Sequence, residues 1–292
     1  MRDSVPGARS MVGRTVLVTG GSGGIGKATA LGLARLGADV AITGRNAART
    51  RAAVAEIHAS TGATVAAFLA DVSAQSEVHR LADEVLGRLA RIDVLVNNVG
   101  GYWNTRHVTD DGLERTFAMN HLAPFLLTSL LLPRLQRTGH ARVVPVSSHA
   151  HAQGRIDFDD LQGERSYSGA RAYNQSKLAN LLFSNHLARQ QRPQDVAANA
   201  LHPGVVSTGF GAEDPGRTQR LLVPVLRPFM KSAAGGAATS IHVASAPELE
   251  GVTGRYFTRG RPARSARHGS DEVAAARLWQ VSADLVGLPS PL

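Results

Sequence analysis

The sequence predicts a single α/β domain: a doubly wound parallel sheet of about seven strands with helices on both faces. Three observations predict it. Short β-branched apolar runs alternate with stretches of helical apolar spacing, the pattern of βαβ units. The first run breaks into a glycine cluster that opens a helix. No Pro/Ser-rich linker and no internal repeat divides the chain.

Each element has its own signal. Residues 15–19 are β-branched and apolar, and form the first strand. Residues 27–36 space Ala30, Leu31, Leu33 and Ala34 as one helical face, and Gly37 ends it. Strands at 39–43 and 64–69 flank a helix at 47–60. A helix at 76–89 leads to a strand at 94–96. A long helix spans about 111–136, followed by a strand at 142–146. The next helix covers 170–189 and the next strand 196–201. A last strand falls near Tyr256-Phe257. Residues 1–12 read as a disordered lead-in and 13–260 as the domain. Two stretches, 150–168 and 207–232, break the rhythm as insertions that build a binding site. Residues 261–292 read as a C-terminal extension.

Composition narrows the function. The 292 residues hold 32 Lys and Arg against 23 Asp and Glu, a formal net charge of +9, and no Cys. Without Cys there is no disulfide framework, thiolate metal site or cysteine nucleophile, and the expected setting is reducing. The basic groups are scattered, densest over 255–267, with no interleaved aromatic platform. That argues against a nucleic-acid partner. The longest apolar run, 125–132, is closed by Pro133 and is far short of the ~20 residues a membrane span needs. The N-terminus has no apolar signal segment. A cytoplasmic protein with no membrane span is the expectation.

The glycine cluster carries the first chemistry. Gly21, Gly23 and Gly26 satisfy the dinucleotide fingerprint, and they lie between a strand and a helix, as that motif requires. Glycine lets the backbone approach a pyrophosphate, and the helix N-terminus offers free N–H groups. The fold class is therefore Rossmann-type. The second strand ends in Thr43-Gly44-Arg45. An acidic residue for a ribose 2′-hydroxyl is missing there, because Asp39 sits at the strand's other end. Arg45 offers a cation for a 2′-phosphate, so the expected cofactor is NADP(H). Lys27 is a second candidate for that clamp.

Tyr173 and Lys177 lie four apart, on one face of the helix after strand five. An ammonium near a phenol favours the phenolate, which suits a proton donor or acceptor. Strand five ends in Ser147-Ser148, beside the same sheet edge.

Together these motifs resemble the short-chain dehydrogenase/reductase family, in its retinol dehydrogenase-like branch. The resemblance rests on Thr19-Gly20-x-x-x-Gly24-x-Gly26, Asp71-Val72, Asn97-Asn98-Val99-Gly100 and Asn120. It also rests on Ser148, Tyr173-x-x-x-Lys177 and Pro203-Gly204, all in family order over residues 12–260. The stretch from Asn120-His121-Leu122 to Thr128, with Ser176-Lys177-Leu178-Ala179-Asn180 and His202-Pro203-Gly204, is similar to the branch.

The resemblance implies roles. Tyr173 is the general acid or base. Lys177 lowers its pKa and bonds the nicotinamide ribose. Ser148, with Ser147 as its rival, donates to the substrate oxygen. Asn120 positions a water linking Lys177 to solvent. Cofactor contacts fall to Gly20, Ser22, Gly23, Gly24, Ile25, Gly26 and Arg45, to Asp71, Val72, Asn98 and Gly100, and to Pro203, Gly204, Val206 and Thr208, with Tyr173 and Lys177. Asp71 could instead be a helix N-cap, and Pro203-Gly204 a turn.

Tyr102, Trp103 and Phe210 are expected at the substrate, with Leu221, Leu222, Val223, Val225, Leu226, Phe229 and Met230 forming an apolar lid. His149 and His151 receive no catalytic role, and residues 255–267 read as a solvated tail. Two positions depart from the family pattern. Val99 is larger than the usual Ala, and Pro145 removes an N–H from a central strand, with the expectation of a small shift or bulge near the serines.

The expected activity is NADPH-dependent hydride transfer on an apolar ketone, aldehyde or secondary alcohol. The alternatives are an NADP(H)-binding regulatory protein with little turnover, and a sugar epimerase or dehydratase. No metal is expected. The helix carrying Tyr173 pairs across dimers in the family, so a homodimer or homotetramer is open.

Overall fold

The computed structural model describes residues 10–206, 214 and 230–289. Six parallel strands form the sheet, in the order β3-β2-β1-β4-β5-β6. They are β1 (Thr15–Val18), β2 (Asp39–Gly44), β3 (Val65–Leu69), β4 (Val94–Asn97), β5 (Ala141–Pro145) and β6 (Val196–Ala198). The order reverses between β1 and β4, and that switch point opens a crevice at the strands' C-terminal ends. Alternation along the strands fills two cores. Leu17, Ala41, Leu95 and Val143 face one side of the sheet. Val16, Val18, Val40, Ile42, Val94, Val96 and Val144 face the other.

The helices are α1 (Gly24–Arg35), α2 (Ala47–Thr61), α3 (Gln75–Arg88), α4 (Arg115–Phe117), α5 (Ala123–Thr138) and α6 (Gly169–Gln190), then α7 (Ala233–Ser245) and α8 (Glu272–Leu285). The helix expected from about 111 starts later. Gly112 takes φ +78°, and the Glu114 carboxylate accepts the N–H groups of Thr116 and Phe117 as a cap. Between α4 and α5, residues Ala118–Leu122 form a π-helical turn. The stretch Arg115–Thr138 is long and apolar enough to cross a membrane by composition, but most of it is buried against this chain's own core.

Pro145 has a clear structural consequence. Along β5, Arg142 and Val146 donate their N–H groups to β4, at Asp93 and Asn97. Ala141 and Ser147 donate to the opposite side, at Asp195 and Leu201. Alternation points position 145 at that same side, where proline has no N–H. There the strand expected over 196–201 breaks. Asn199 separates β6 from β7 (Ala200–His202), which joins β8 (Tyr256–Thr258) and β9 (Arg261–Ala263) in a second, three-stranded sheet. The expected shift therefore falls on the neighbouring strand, while Val146 and Ser147 keep their ladder bonds.

Residues 255–267 are not a solvated tail. Residues 256–263 form the β8–β9 hairpin, turned at Arg259 and Gly260 with φ of +51° and +69°, the left-handed pair of a tight hairpin. Nor is 261–292 an appendage, because Ala275, Leu278 and Ala283 of α8 lie in the main core. Trp279 stacks on Phe183 of α6 at 5.8 Å and meets Phe125 of α5 edge-on at 4.9 Å. At the other end, residues 1–9 lie outside the described residues, but Met11 of the expected lead-in is buried and donates its N–H to Leu36.

His121 lies within this packing, 1% exposed, with Nε2 bonded to Ser282 Oγ at 2.8 Å. Burial pushes its pKa down to about 3. Below about pH 6.5 the unfolded chain binds a proton that the folded chain refuses, so stability falls with pH until about 3. Denaturant unfolding at pH 6.5 and pH 5 should show a loss about 2 kcal/mol smaller in His121→Gln than in wild type. Equal losses would mean that His121 does not control the acid response.

Candidate active site

A cavity of about 340 Å³ opens at the sheet's switch point, lined from the ends of β1, β2, β3 and β4. Of the expected cofactor contacts, Gly20, Ser22, Gly23, Gly24, Ile25, Gly26, Arg45, Asp71, Val72, Asn98 and Gly100 all line it. Tyr102 and Trp103, expected at the substrate, line it too. Thr208 and Phe210, and the lid from 207 to 229 apart from Asp214, lie outside the described residues.

The glycine loop is shaped for a close-approaching anion. Gly20 sits at φ +67°, in the left-handed region that favours glycine. A Cβ on Gly26 would stand 2.3 Å from the Gly20 carbonyl oxygen and 2.5 Å from Asn98 Nδ2, so helix and loop touch there without room for a side chain. The α1 N-terminus at Gly23 has no side-chain cap and no acidic residue in its first turn. Its N–H groups and positive dipole end are available to a phosphate. These residues fit a dinucleotide.

Two arginines face the loop. Arg45 follows β2, and Arg49 lies one turn along in α2; both line the cavity. A Cβ on Gly23 would come 3.0 Å from the Arg49 guanidinium. Sequence reading missed Arg49, although its four-residue spacing from Arg45 was visible. Lys27 does not join them, because its ammonium pairs with Glu56 at 2.6 Å. Asp71 does not cap α3, whose N-cap is Ala74. Its carboxylate instead accepts the N–H and hydroxyl of Ser73.

The second cluster is reached through Tyr102, whose ring meets Tyr173 edge-on at 5.8 Å. Ser148 Oγ is hydrogen-bonded to the Tyr173 side chain. Burial raises the Tyr173 pKa, and the Ser148 bond pulls it partly back. Ser147 is buried and donates to the Lys177 carbonyl at 2.7 Å, so Ser148 is the serine brought to Tyr173. Lys177 is 4% exposed. Its ammonium donates to the Val146 carbonyl at 3.1 Å and lies 5.6 Å from the Tyr173 ring centre. Burial alone pulls its pKa down to about 8. The downward pull on Tyr173 expected from Lys177 is not the dominant effect in this geometry.

Asn120 is set by the π turn. Its amide donates to the Gly101 carbonyl and to Ser176 Oγ, both at 2.9 Å, and its oxygen accepts the Gly101 N–H at 2.7 Å. Both amide donors are thus committed to the protein. Gly100 lies between groups: a Cβ there would stand 3.2 Å from Asn120 Oδ1 and 3.3 Å from Lys177 Nζ.

Three of the remaining expected contacts follow β7. Val206 packs beside Gly236 with Ile25 of the glycine loop, and Gly204 turns at φ +96° beside the Lys231 side chain. Pro203 is buried. The insertion at 150–168 is folded onto α6: Gln175 donates to Leu161 and accepts the Asp157 N–H. From the lid, Asp214 accepts the N–H and hydroxyl of Thr105, both at 2.7 Å. Trp103 is 4% exposed, with the Arg115 guanidinium over its ring at 4.7 Å.

A Rossmann-type sheet, a glycine-rich loop at its switch point and a Ser–Tyr–Lys cluster beside it define a dinucleotide-dependent oxidoreductase. The short chain dehydrogenase family model matches residues 14–217, and the chain belongs to that family. It is 39% identical to retinol dehydrogenase 14 of Homo sapiens, over 95% of this chain and 88% of that one. It is 41% identical to the "Putative daunorubicin C-13 ketoreductase DnrU" of Streptomyces sp. (strain C5), over 94% of this chain and 93% of that one. A crystal structure of an uncharacterized protein from Mycobacterium Paratuberculosis matches with a TM-score of 0.78 at 33% identity, over 98% of both chains. The family uses a nicotinamide cofactor.

The glycine loop can be tested alone. Gly26→Ala must displace Gly20 or Asn98, and overpacking of this kind costs about 1–3 kcal/mol. Fluorescence titration with NADPH and with NADH should show affinity at least about tenfold weaker. Unchanged affinity for both would mean that the loop does not hold the dinucleotide.

Proposed function

We propose that the chain is an NADP(H)-dependent oxidoreductase acting between a carbonyl and an alcohol on a mainly apolar molecule, a ketone, aldehyde or secondary alcohol. The observation that carries the reading is the contact of Ser148 with Tyr173, with Lys177 buried beneath them. A bound nicotinamide dinucleotide supplies the hydride. Ser148 Oγ and Tyr173 Oη together receive the substrate oxygen. Tyr173 rests protonated, because burial holds its pKa up, and that is the form reduction needs. As charge grows on the substrate oxygen, Tyr173 delivers its proton. The ammonium of Lys177 stabilises the resulting phenolate. Gly100 leaves room for that ammonium, and Asn120 fixes the backbone beside it.

The cofactor preference rests on charge. Arg45 and Arg49 border the cavity, and the one acid on β2, Asp39, is at the far end of the strand. A 2′-phosphate gains charge-assisted hydrogen bonds there, which a 2′-hydroxyl cannot match. The substrate class rests on the named relatives, since retinol and a daunorubicin ketone both carry the reacting oxygen on a large carbon skeleton. Tyr102 offers aromatic surface in the cavity, while Trp103 is buried behind it under Arg115.

NADPH consumption with retinaldehyde, a nine-carbon aldehyde and a polycyclic ketone tests the activity. At least one should be reduced, and Tyr173→Phe should lower kcat by at least about 100-fold. NADPH binding without turnover on the whole panel would favour a regulatory dinucleotide-binding protein. Cofactor preference is tested separately: Arg45→Asp should weaken NADPH binding by at least about tenfold while NADH binding changes little. Equal wild-type affinity for the two cofactors would refute the NADP(H) assignment.

A further inference from the structure

Behind Ser148 lies a histidine that the catalytic scheme does not use. His151 is 2% exposed and belongs to the short helical turn His149–Gln153, for which Ser148 is the N-cap. Its two ring nitrogens face opposite ways. Nε2 lies 3.2 Å from the backbone N–H of Ala266, which can only donate, so Nε2 must carry the lone pair. The proton is then on Nδ1, which donates to the Ser148 carbonyl at 2.7 Å. That carbonyl also accepts the His151 N–H at 3.2 Å. The His151 carbonyl in turn lies 3.0 Å from His268 Nε2, and its ring meets Tyr256 edge-on at 4.9 Å.

These contacts close a circuit. Ala266 caps the turn Arg267–Ser270, and the Gly269 carbonyl of that turn accepts Asn185 Nδ2 from α6. Helix α6 is the helix that carries Tyr173 and Lys177. The end of β5, with Ser148, and α6, with Tyr173, are thus fastened to the same C-terminal segment. Ser148 follows the strand end and has no regular sheet partner of its own beyond Ser147. A hydrogen bond of the Ser148–Tyr173 kind tolerates little displacement before it weakens.

We propose that His151 is a positioning residue: its neutral imidazole bridges the Ser148 carbonyl to the Ala266 N–H, and so makes the C-terminal segment set the register of Ser148 against Tyr173. The bridge works in one protonation state only. A proton on Nε2 would set donor against donor at Ala266. The titratable groups facing the ring are His149, His268 and Tyr256, with His202 behind His149. No carboxylate contact to the ring is present among the described residues; the Ser148 carbonyl favours the cation, but burial and the neighbouring His149 and His268 hold the pKa down. The bridge involves Ser148 and the C-terminal segment and includes no residue of the glycine loop.

This inference deepens the proposed reductase reading and rests on it for its kinetic test. A double-mutant cycle separates positioning from simple structural support. His151→Ala should lower kcat for the reduced panel carbonyl by about tenfold or more, with NADPH affinity unchanged. In a Ser148→Ala background the same substitution should have little further effect. His151→Asn, which retains a donor near Nδ1, should recover part of the loss; it also serves if His151→Ala fails to fold. Equal losses in both backgrounds, or no loss in wild type, would overturn the proposal. A second readout needs no turnover. Absorbance titration of the tyrosines, with Tyr173→Phe to identify the signal, should show the Tyr173 pKa rising in His151→Ala as it does in Ser148→Ala. If no carbonyl is reduced but Tyr173 shifts in this way, the reductase reading fails and the positioning role stands. An unshifted Tyr173 in His151→Ala would sink the positioning role whatever the activity.

Discussion

The site is organised around the burial of one ammonium. Lys177 is almost wholly enclosed, its partner is the Val146 carbonyl, and burial alone brings its pKa down to about 8. Removing a charge from water costs several kcal/mol, so its surroundings must be held firmly enough to keep that geometry. Strand β5 supplies the carbonyl and α6 supplies the side chain. Gly100 supplies the space, and Asn120 clamps the backbone on the other side of it. A change in any of these four would let the ammonium turn toward water, and Tyr173 would lose its electrostatic partner.

Helix α6 can carry this load because it is anchored along its length. Its start is wedged against the backbone of Trp103 and Asn104 at Gly169. Gln175 ties it to the insertion above it, and Asn185 ties it to the C-terminal turn. Phe183 and His186 pack on Trp279 of α8. The segment from Ala266 to Leu285 therefore behaves as a brace for the catalytic helix. The same brace covers the apolar sides of α5 and α6, which accounts for a long hydrophobic helix in a sheet-centred fold.

What was legible in the sequence had local causes. The strand and helix order followed from periodicity, and the glycine loop from a motif whose context could be checked in the same few residues. Tyr173, Lys177 and Ser148 were legible because the motif and strand end lie next to one another in the fold's connectivity. The family spacing favoured Ser148 over Ser147, and the structure adds the physical reason: the pleat sends one side chain to Tyr173 and the other under α6. The break at Asn199 and the role of α8 were not legible, and Arg49 showed only its spacing from Arg45. Each depends on a partner far away in sequence: the glycine loop for Arg49, Pro145 for Asn199, and Phe125 with Phe183 for Trp279. The histidine pair after the serine looked inert, because a lone loop histidine carries no signal until its two nitrogens are seen to bridge separate segments.

The π turn at Ala118–Leu122 places Asn120 toward the cleft while Phe117, His121 and Phe125 face the core. A π turn amounts to one residue inserted into an α-helix, and each residue is worth about 100° of rotation. Deleting one residue there would restore regular hydrogen bonding and lengthen an unbroken helix. It would also swing Asn120 away from Gly101 and carry Phe117 off its core contacts. At this position the helix that would be easiest to form and the helix that completes the site are different helices. The chain holds the less regular one because contacts at both ends, the Glu114 cap and the α8 packing, allow no other phase.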